Sequence, residues 1–280
     1  MNFYDAHNHL QDARLTPFRE PVVMDAQRIG VRRMVVNGTG EHDWPQVAEL
    51  AERYPDLVIP AFGLHPWQVG QQSTRWQEAL RKYLECFPAA PVGEVGLDRW
   101  VEGHDVVAQA QALQAQLVLA RELNRPVVIH CLKAFGVLEN LLRESKPLPR
   151  GFLLHSYGGS LEQMRSFAAL GGWFSCSGYF FHDRKAAQRK VFAEVPLDRL
   201  LVETDAPDML GPEACITNVL PGGAASVALN HPANLSAIYA AVAQLREIPL
   251  TEFVEGMEKN FKCFFEKPYT NIEEYQAGSF

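Results

Sequence analysis

The chain of 280 residues is short of cysteine, and its five are poorly organised for chemistry. Cys86, Cys131, Cys176, Cys215 and Cys263 are odd in number, scattered, and form no Cys-x-x-Cys pair. A disulfide framework or a thiolate zinc site is a poor reading of that spacing, and buried, reduced thiols are expected instead. No apolar run reaches the ~20 residues that a membrane-spanning helix needs, so no membrane partner is expected. The start of the chain, Met1 to Asp5, has no basic region followed by an apolar stretch. No signal peptide and a cytoplasmic location are therefore expected. Positive charge is in deficit as well: 26 Lys and Arg against 33 Asp and Glu leave a net charge of −7. That favours solubility and gives no global pull toward a phosphate polymer, although a local group of cations or metals overrides a net balance. No charge block, low-complexity tract or Ser/Gly linker marks a boundary. One domain over residues 1–280 is expected, with no obligate protein partner.

What is present is ordinary for a globular α/β protein, with 47% hydrophobic and 21% charged residues. Short apolar runs alternate with longer amphipathic ones. The short runs are strand candidates: Asn2–His7, Arg32–Asn37, Leu57–Phe62, Pro91–Val95, Pro126–His130, Gly151–His155, Gly172–Cys176 and Arg199–Thr204. Several are rich in Val, Ile, Leu and Phe without alternation, as strands buried on both faces are. Between and after them lie helical patterns over Trp44–Tyr54, Trp76–Phe87, Val106–Leu123, Phe135–Glu144, Leu161–Leu170, Arg184–Glu194, Pro232–Arg246 and Leu250–Phe265. Eight strands with intervening helices at this length predict a somewhat distorted (β/α)₈ barrel. A doubly wound open sheet is the alternative, but its Gly-rich nucleotide fingerprint is missing after the first strand. The stretch Ala206–Asn230 is long and irregular, and a loop of that length after the eighth strand is a candidate substrate lid, with Pro221-Gly222-Gly223 at its tip.

The strand ends hold the chemistry. The first ends in Asp5-Ala6-His7-Asn8-His9, and residues two apart in an extended segment face the same way, so His7 and His9 can reach one ion. The fourth carries Glu94 in an otherwise apolar run, where a carboxylate must be paired or metal-bound. The fifth and sixth end in His130 and His155, each after apolar residues. The eighth gives way to its loop at Asp205, a residue type equally common as a turn former before Pro, with Glu203 on the same face as a hydrogen-bond acceptor for a ligand. Taken singly these are weak signals. Together they put four histidines and two carboxylates at the carboxyl ends of five strands, the rim where barrel active sites are built.

These segments resemble the TatD-like metal-dependent hydrolases of the amidohydrolase group. The resemblance is carried by Asp5–His9, Gly63-Leu64-His65-Pro66, Gly93–Asp98, Pro126–His130, His155 with Gly158, Glu203–Pro207 and Asn260-Phe261, in the family's order along nearly the whole chain. It implies two divalent metal ions, Zn, Mn, Mg or similar. It implies that His7, His9 and Asp205 hold one ion, His130 and His155 the other, and that Glu94 bridges them. The implied reaction is hydrolysis by a metal-activated hydroxide, with Asp205 as the proton acceptor. His65 and Lys133 are further candidates, for a substrate contact or for support of the ligands.

The family also makes a phosphodiester-cleaving, deoxyribonuclease-like role on DNA the first expectation, with a small phosphoester as the other substrate of that class. Two departures touch substrate recognition. Leu132 and Leu229 stand where the family usually carries arginine, a residue whose planar fork matches a phosphate. Lys133, Arg99, Arg184 and Lys185 are the cations nearest in sequence to the rim. Trp67, Trp100, Tyr157, Tyr179 and Phe180 fall near rim loops, where they serve a nucleic-acid groove, a small-ligand pocket or simple packing. A small-molecule amidohydrolase or esterase on the same site is the second reading, and a non-catalytic binding protein the third.

Overall fold

The structure is a computed structural model and describes residues 1–100, 102–220 and 228–266. Eight parallel strands follow one another in chain order: β1 (Phe3–Asn8), β2 (Val31–Asn37), β3 (Val58–Ala61), β4 (Val92–Asp98), β5 (Val127–Leu132), β6 (Phe152–Leu154), β7 (Gly172–Cys176) and β8 (Leu200–Val202). Helices α1 (Arg19–Ile29), α2 (Trp44–Arg53), α3 (Trp76–Cys86), α4 (Val106–Glu122), α5 (Phe135–Glu144), α6 (Leu161–Ala169) and α7 (Ala186–Glu194) connect them, and α8 (Leu235–Leu245) and α9 (Leu250–Phe261) follow the last strand. This is (β/α)₈ barrel order. All eight strand runs of the sequence reappear within a few residues. Helix α1 has no counterpart among the sequence patterns: Pro17 and Pro21 interrupt the region, and a 3₁₀ turn, Ala13–Phe18, precedes the helix.

The strands are apolar because both faces are covered. Tyr4, Ala6, Val35, Ile59, Val128, Leu153, Trp173 and Leu201 pack on the inner side, and Phe261, Phe264 and Phe265 from α9 and the π-helical turn after it join the same cluster. The alternate residues pack outward against the helices. Burial of so many large side chains is the dominant favourable contribution to folding. The thiols are free, as expected, but Cys86 and Cys263 are exposed rather than buried, because each sits on the outer side of a helix end. The proposed lid tip, Pro221-Gly222-Gly223, lies outside the described residues.

The strand ladder divides into β1-β2-β3 and β4 through β8, leaving two seams. At the first, the Gly93 N–H donates to the Phe62 carbonyl (2.9 Å) and the Glu94 N–H to the Gly38 carbonyl (3.0 Å). A Cβ on Gly63 would lie 2.7 Å from the Glu94 carbonyl oxygen, so the close approach requires glycine. At the second, the Asp205 N–H donates to the His7 carbonyl (2.9 Å) and the His9 N–H to the Ala206 carbonyl (2.8 Å). A side chain completes it: the Asp5 carboxylate accepts from the Thr204 N–H (2.9 Å), the Thr204 hydroxyl (2.6 Å), the His7 N–H (3.3 Å) and the Asn8 amide (3.2 Å).

Asp5 is fully buried, and burial lifts its pKa to about 7 against the pull of these donors. Asp5→Ala strands buried donors on both sides of the β8–β1 seam. We expect a loss of roughly 3 kcal/mol, read as a lower urea midpoint; an unchanged midpoint would show that the seam holds without the carboxylate.

Candidate metal centre

Between Asp5 and Asn8 the first strand spends one residue more than its neighbour, because Asp5 pairs with Met34 but Asn8 with Val36, after the neighbour has spent one more between Phe3 and Tyr4. Such an irregularity shifts the parity of side chains. Ala6 packs in the inner cluster, and the adjacent His7 nevertheless reaches inward to Glu94. Gly96, at φ +150, lets β4 run against β5: a Cβ there would lie 1.9 Å from the His130 carbonyl oxygen. Asp205 takes a left-handed backbone (φ 55) where β8 turns into its loop, a conformation that Asp tolerates better than most residues.

Each oxygen of the buried Glu94 carboxylate collects its own group of imidazoles. His7 Nε2 and His9 Nε2 lie 3.2 Å apart, and each is 3.3 Å from Glu94 Oε2 and 3.6 Å from Asp205 Oδ1. On the other oxygen, Oε1, stand His155 Nε2 at 2.8 Å, His130 Nδ1 at 3.2 Å and His65 Nε2 at 3.3 Å, with the His130 and His155 nitrogens 3.3 Å from each other. The cluster lies at the floor of a cavity of about 1080 Å³ that opens over the carboxyl ends of the strands.

The far nitrogen of each ring sorts the histidines. His9 Nδ1 faces the Asn37 carbonyl at 2.9 Å, and His130 Nε2 faces Asp98 Oδ2 at 3.0 Å. His155 Nδ1 is turned toward Glu203 Oε1 at 3.7 Å. For His9 and His130 that oxygen acceptor on the far side fixes the proton there in the neutral ring and leaves a lone pair on the near side, the arrangement found around metal-ligating histidines; the far nitrogens of His7 and His155 make no hydrogen bond. His65 is reversed: its Nδ1 accepts from the Trp67 backbone N–H (3.1 Å), so in the neutral ring Nε2 carries the proton and donates to Glu94. His65 is thus a hydrogen-bond donor to Glu94.

This donor set fits divalent cations. Nitrogen lone pairs about 3.2 Å apart, sharing a carboxylate oxygen, repel unless a proton or a cation lies between them. Three such atoms, His7 Nε2, His9 Nε2 and Glu94 Oε2, can all stand about 2 Å from one point, within the ~2.0–2.2 Å range of zinc bonds to nitrogen and oxygen. Three triads of donor atoms, His7–His9–Glu94, His7–His155–Glu203 and His65–Glu94–His130, each lie within 4.8 Å of one another.

Electrostatics follow from burial and mutual contact. Burial and the charge of His155, stacked on it at 3.8 Å, push His7 down to about 3. Burial opposes a charge on His9, but hydrogen bonding to Glu94 and the charges of Glu94 and Asp205 outweigh it and lift His9 to about 9. Burial alone would raise Glu94; the surrounding histidines, led by His155, hold it well below the usual carboxylate range. Burial dominates at Asp205, with His155 and His9 opposing and Glu203 and Glu94 adding to it, and lifts it to about 7.

Of the residues singled out in the sequence, His7, His9, Glu94, His130, His155, Asp205 and His65 come together in this cluster. Glu203 lies just behind it, fully buried, accepting from the Ser156 N–H (2.7 Å) and hydroxyl (2.6 Å). Lys133 does not reach the cluster: its ammonium sits 4.0 Å from the centroid of the Trp100 ring. The aromatics divide. Tyr157 and Phe180 are buried, while Trp67 and Trp100 are exposed at the cavity mouth. Asp98 was given no role from sequence, yet one of its oxygens accepts from both His130 and Trp67 Nε1 (2.7 Å). The signal was alternation, since Glu94, Gly96 and Asp98 fall on one face of β4.

Parallel (β/α)₈ strands that carry histidines and carboxylates on their carboxyl ends define a metal-dependent hydrolase. The family model described as TatD related DNase matches residues 4–266, and the chain belongs to this family. It is 31% identical over 268 residues to an uncharacterised metal-dependent hydrolase, YjjV of Escherichia coli K12, covering 95% of this chain and 98% of that one. The crystal structure of the YjjV TatD homologue superposes with a TM-score of 0.85 at 30% identity, again over 95% and 98% of the two chains. A 3'-5' ssDNA/RNA exonuclease TatD of Erwinia tasmaniensis is 31% identical over 208 residues, covering 74% of this chain and 80% of that protein.

Two outcomes follow. Since His9 holds its proton to about pH 9 without a cation and a ligating imidazole must be neutral, metal loading at pH 7.5 releases protons and tightens as pH rises toward 9. Calorimetric heats should then depend on the ionisation enthalpy of the buffer; identical heats in two buffers would contradict this. Asp98→Ala removes the acceptor that orients His130 and should weaken metal retention roughly 10- to 100-fold, measured by competition with a chromogenic chelator.

Proposed function

We propose that the chain cleaves phosphodiester bonds of single-stranded nucleic acid through a binuclear site. His7, His9 and Asp205 would hold one ion and His130 and His155 the other, with Glu94 shared. The observation that carries the reading is that each Glu94 oxygen faces its own set of imidazole nitrogens at the floor of an open cavity. Divalent ions held there would supply Lewis acidity and lower the pKa of a water. Asp205 faces the cavity, where its carboxylate can take a proton from an attacking water and return it to the leaving oxygen. His65 anchors Glu94 from the opposite side and stands within reach of a bound substrate. The relatives named as ssDNA/RNA exonucleases support the substrate class.

A specific observation favours a second reading, a small-molecule ester or amide. The arginine on the cavity wall nearest the first strand, Arg14, is engaged by Asp12 and Asp208 at 2.7 Å each, and leucine stands at positions 132 and 229. The domain extent, 1–280, and a cytoplasmic setting are part of the same proposal.

The test is a substrate panel of single-stranded DNA, RNA, simple phosphodiesters, amides and lactones, run with metal analysis. Phosphodiesters should be cleaved, and His130→Ala should lose both metal and turnover. Asp205→Asn should lower kcat about 100-fold or more while metal remains measurable. Turnover unchanged in metal-loaded Asp205→Asn removes the base role, and hydrolysis confined to lactones or amides removes the nucleic-acid reading.

A further inference from the structure

Five tryptophans occur in the sequence, and the structure separates them sharply. Trp44, Trp76 and Trp173 are 1%, 7% and 6% exposed, as indoles in a folded domain usually are. Trp67 and Trp100 are 53% and 62% exposed, and both line the mouth of the cavity above the metal centre. Leu132, 37% exposed, lines the same mouth. Large apolar side chains left in water around an active-site cavity indicate a ligand surface rather than a packing remainder.

The Trp67 indole and the Trp100 backbone are also held in place. Trp67 Nε1 donates to Asp98 Oδ2 at 2.7 Å, and the Trp100 backbone N–H donates to Asp98 Oδ1 at 2.6 Å. The same Oδ2 atom receives His130 Nε2 at 3.0 Å. One carboxylate therefore fixes the Trp67 indole and the Trp100 backbone relative to a candidate metal ligand. Trp67 stands edge-on to His65 and His130, with ring centroids 5.1 and 6.4 Å away. The Lys133 ammonium beside Trp100 adds a cation next to the ring.

We infer that Trp67 and Trp100 form a stacking subsite for one base of a single-stranded nucleic acid. The Lys133 ammonium covers one face of the Trp100 ring, leaving the other for the base and placing a cation near the adjoining phosphate, and Asp98 positions the subsite against His130. The inference rests on the nucleic-acid reading for its occupant, and on burial and hydrogen bonding for its location. An aromatic platform binds any base through its π face, so the subsite selects single strands over duplex and tolerates sequence. It also explains how a chain of net charge −7 gains affinity for a polyanion, because part of the binding comes from rings rather than from charge.

The experiment uses the full chain with its metals and a slowly cleaved phosphorothioate oligothymidylate. Binding is read from tryptophan fluorescence, and from fluorescence anisotropy of a labelled strand so that loss of an indole does not remove the signal. A strand of equal length and charge built from abasic residues is the comparison. Wild-type protein should bind the base-carrying strand about tenfold or more tighter than the abasic one. Trp100→Ala should lose most of that preference and leave affinity for the abasic strand unchanged. Trp67→Phe, which keeps a ring but not the bond to Asp98, should retain more of the preference than Trp67→Ala. Equal affinity for the two strands, or full base preference in both alanine variants, overturns the subsite. Phosphodiester turnover is measured separately. Base-selective binding without cleavage removes the proposed reaction and leaves the subsite standing, whereas cleavage without base preference does the reverse.

Discussion

A single buried carboxylate organises the working end of this barrel. Glu94 sits among apolar strand residues, where an isolated negative charge is expensive. It is tolerated because imidazoles from four other stretches of chain close on its two oxygens: His7 and His9 on one, His65, His130 and His155 on the other. Behind two of those rings stand acceptors, the Asn37 carbonyl for His9 and the Asp98 carboxylate for His130. The rim is therefore a network in which a change at one member alters the protonation or orientation of its neighbours.

The two breaks in the strand ladder have a place in that network. One lies where β4 brings Glu94 past Gly63, the other where β8 meets β1 at Asp205 and His7. Regular pairing fixes side chains in strict alternation. A bulge in β1 and a left-handed residue at Asp205 release that alternation and let the ligand candidates aim at a common point. The cost of lost ladder bonds is offset by Asp5, whose carboxylate takes the place of a paired strand.

The strands were legible because barrel strands are apolar on both faces and stand out as short runs; α1 was hidden by prolines in and before it. Much of the cluster was legible for a related reason. A polar residue at the end of an apolar run, as at His130, His155 and Asp205, is a weak signal alone and becomes a strong one when it recurs on five strands. Asp98 and the Asn37 carbonyl escaped notice because their part is to hold another residue's ring, and a contact across strands leaves no trace in local spacing.

Sequence alone determined which side chains stand at the strand ends, because hydrophobic runs and their polar terminators are written locally. It also fixed the family, through segments such as Gly93–Asp98 and Glu203–Pro207. Only the tertiary structure decided what stands behind each imidazole: the far nitrogen of His65 accepts from the Trp67 N–H, whereas those of His9 and His130 face oxygens. The same holds for the two exposed tryptophans that share Asp98 with His130. These facts depend on ångström-scale contacts between residues tens of positions apart, and such distances exist only once the barrel has brought the strand ends to one mouth.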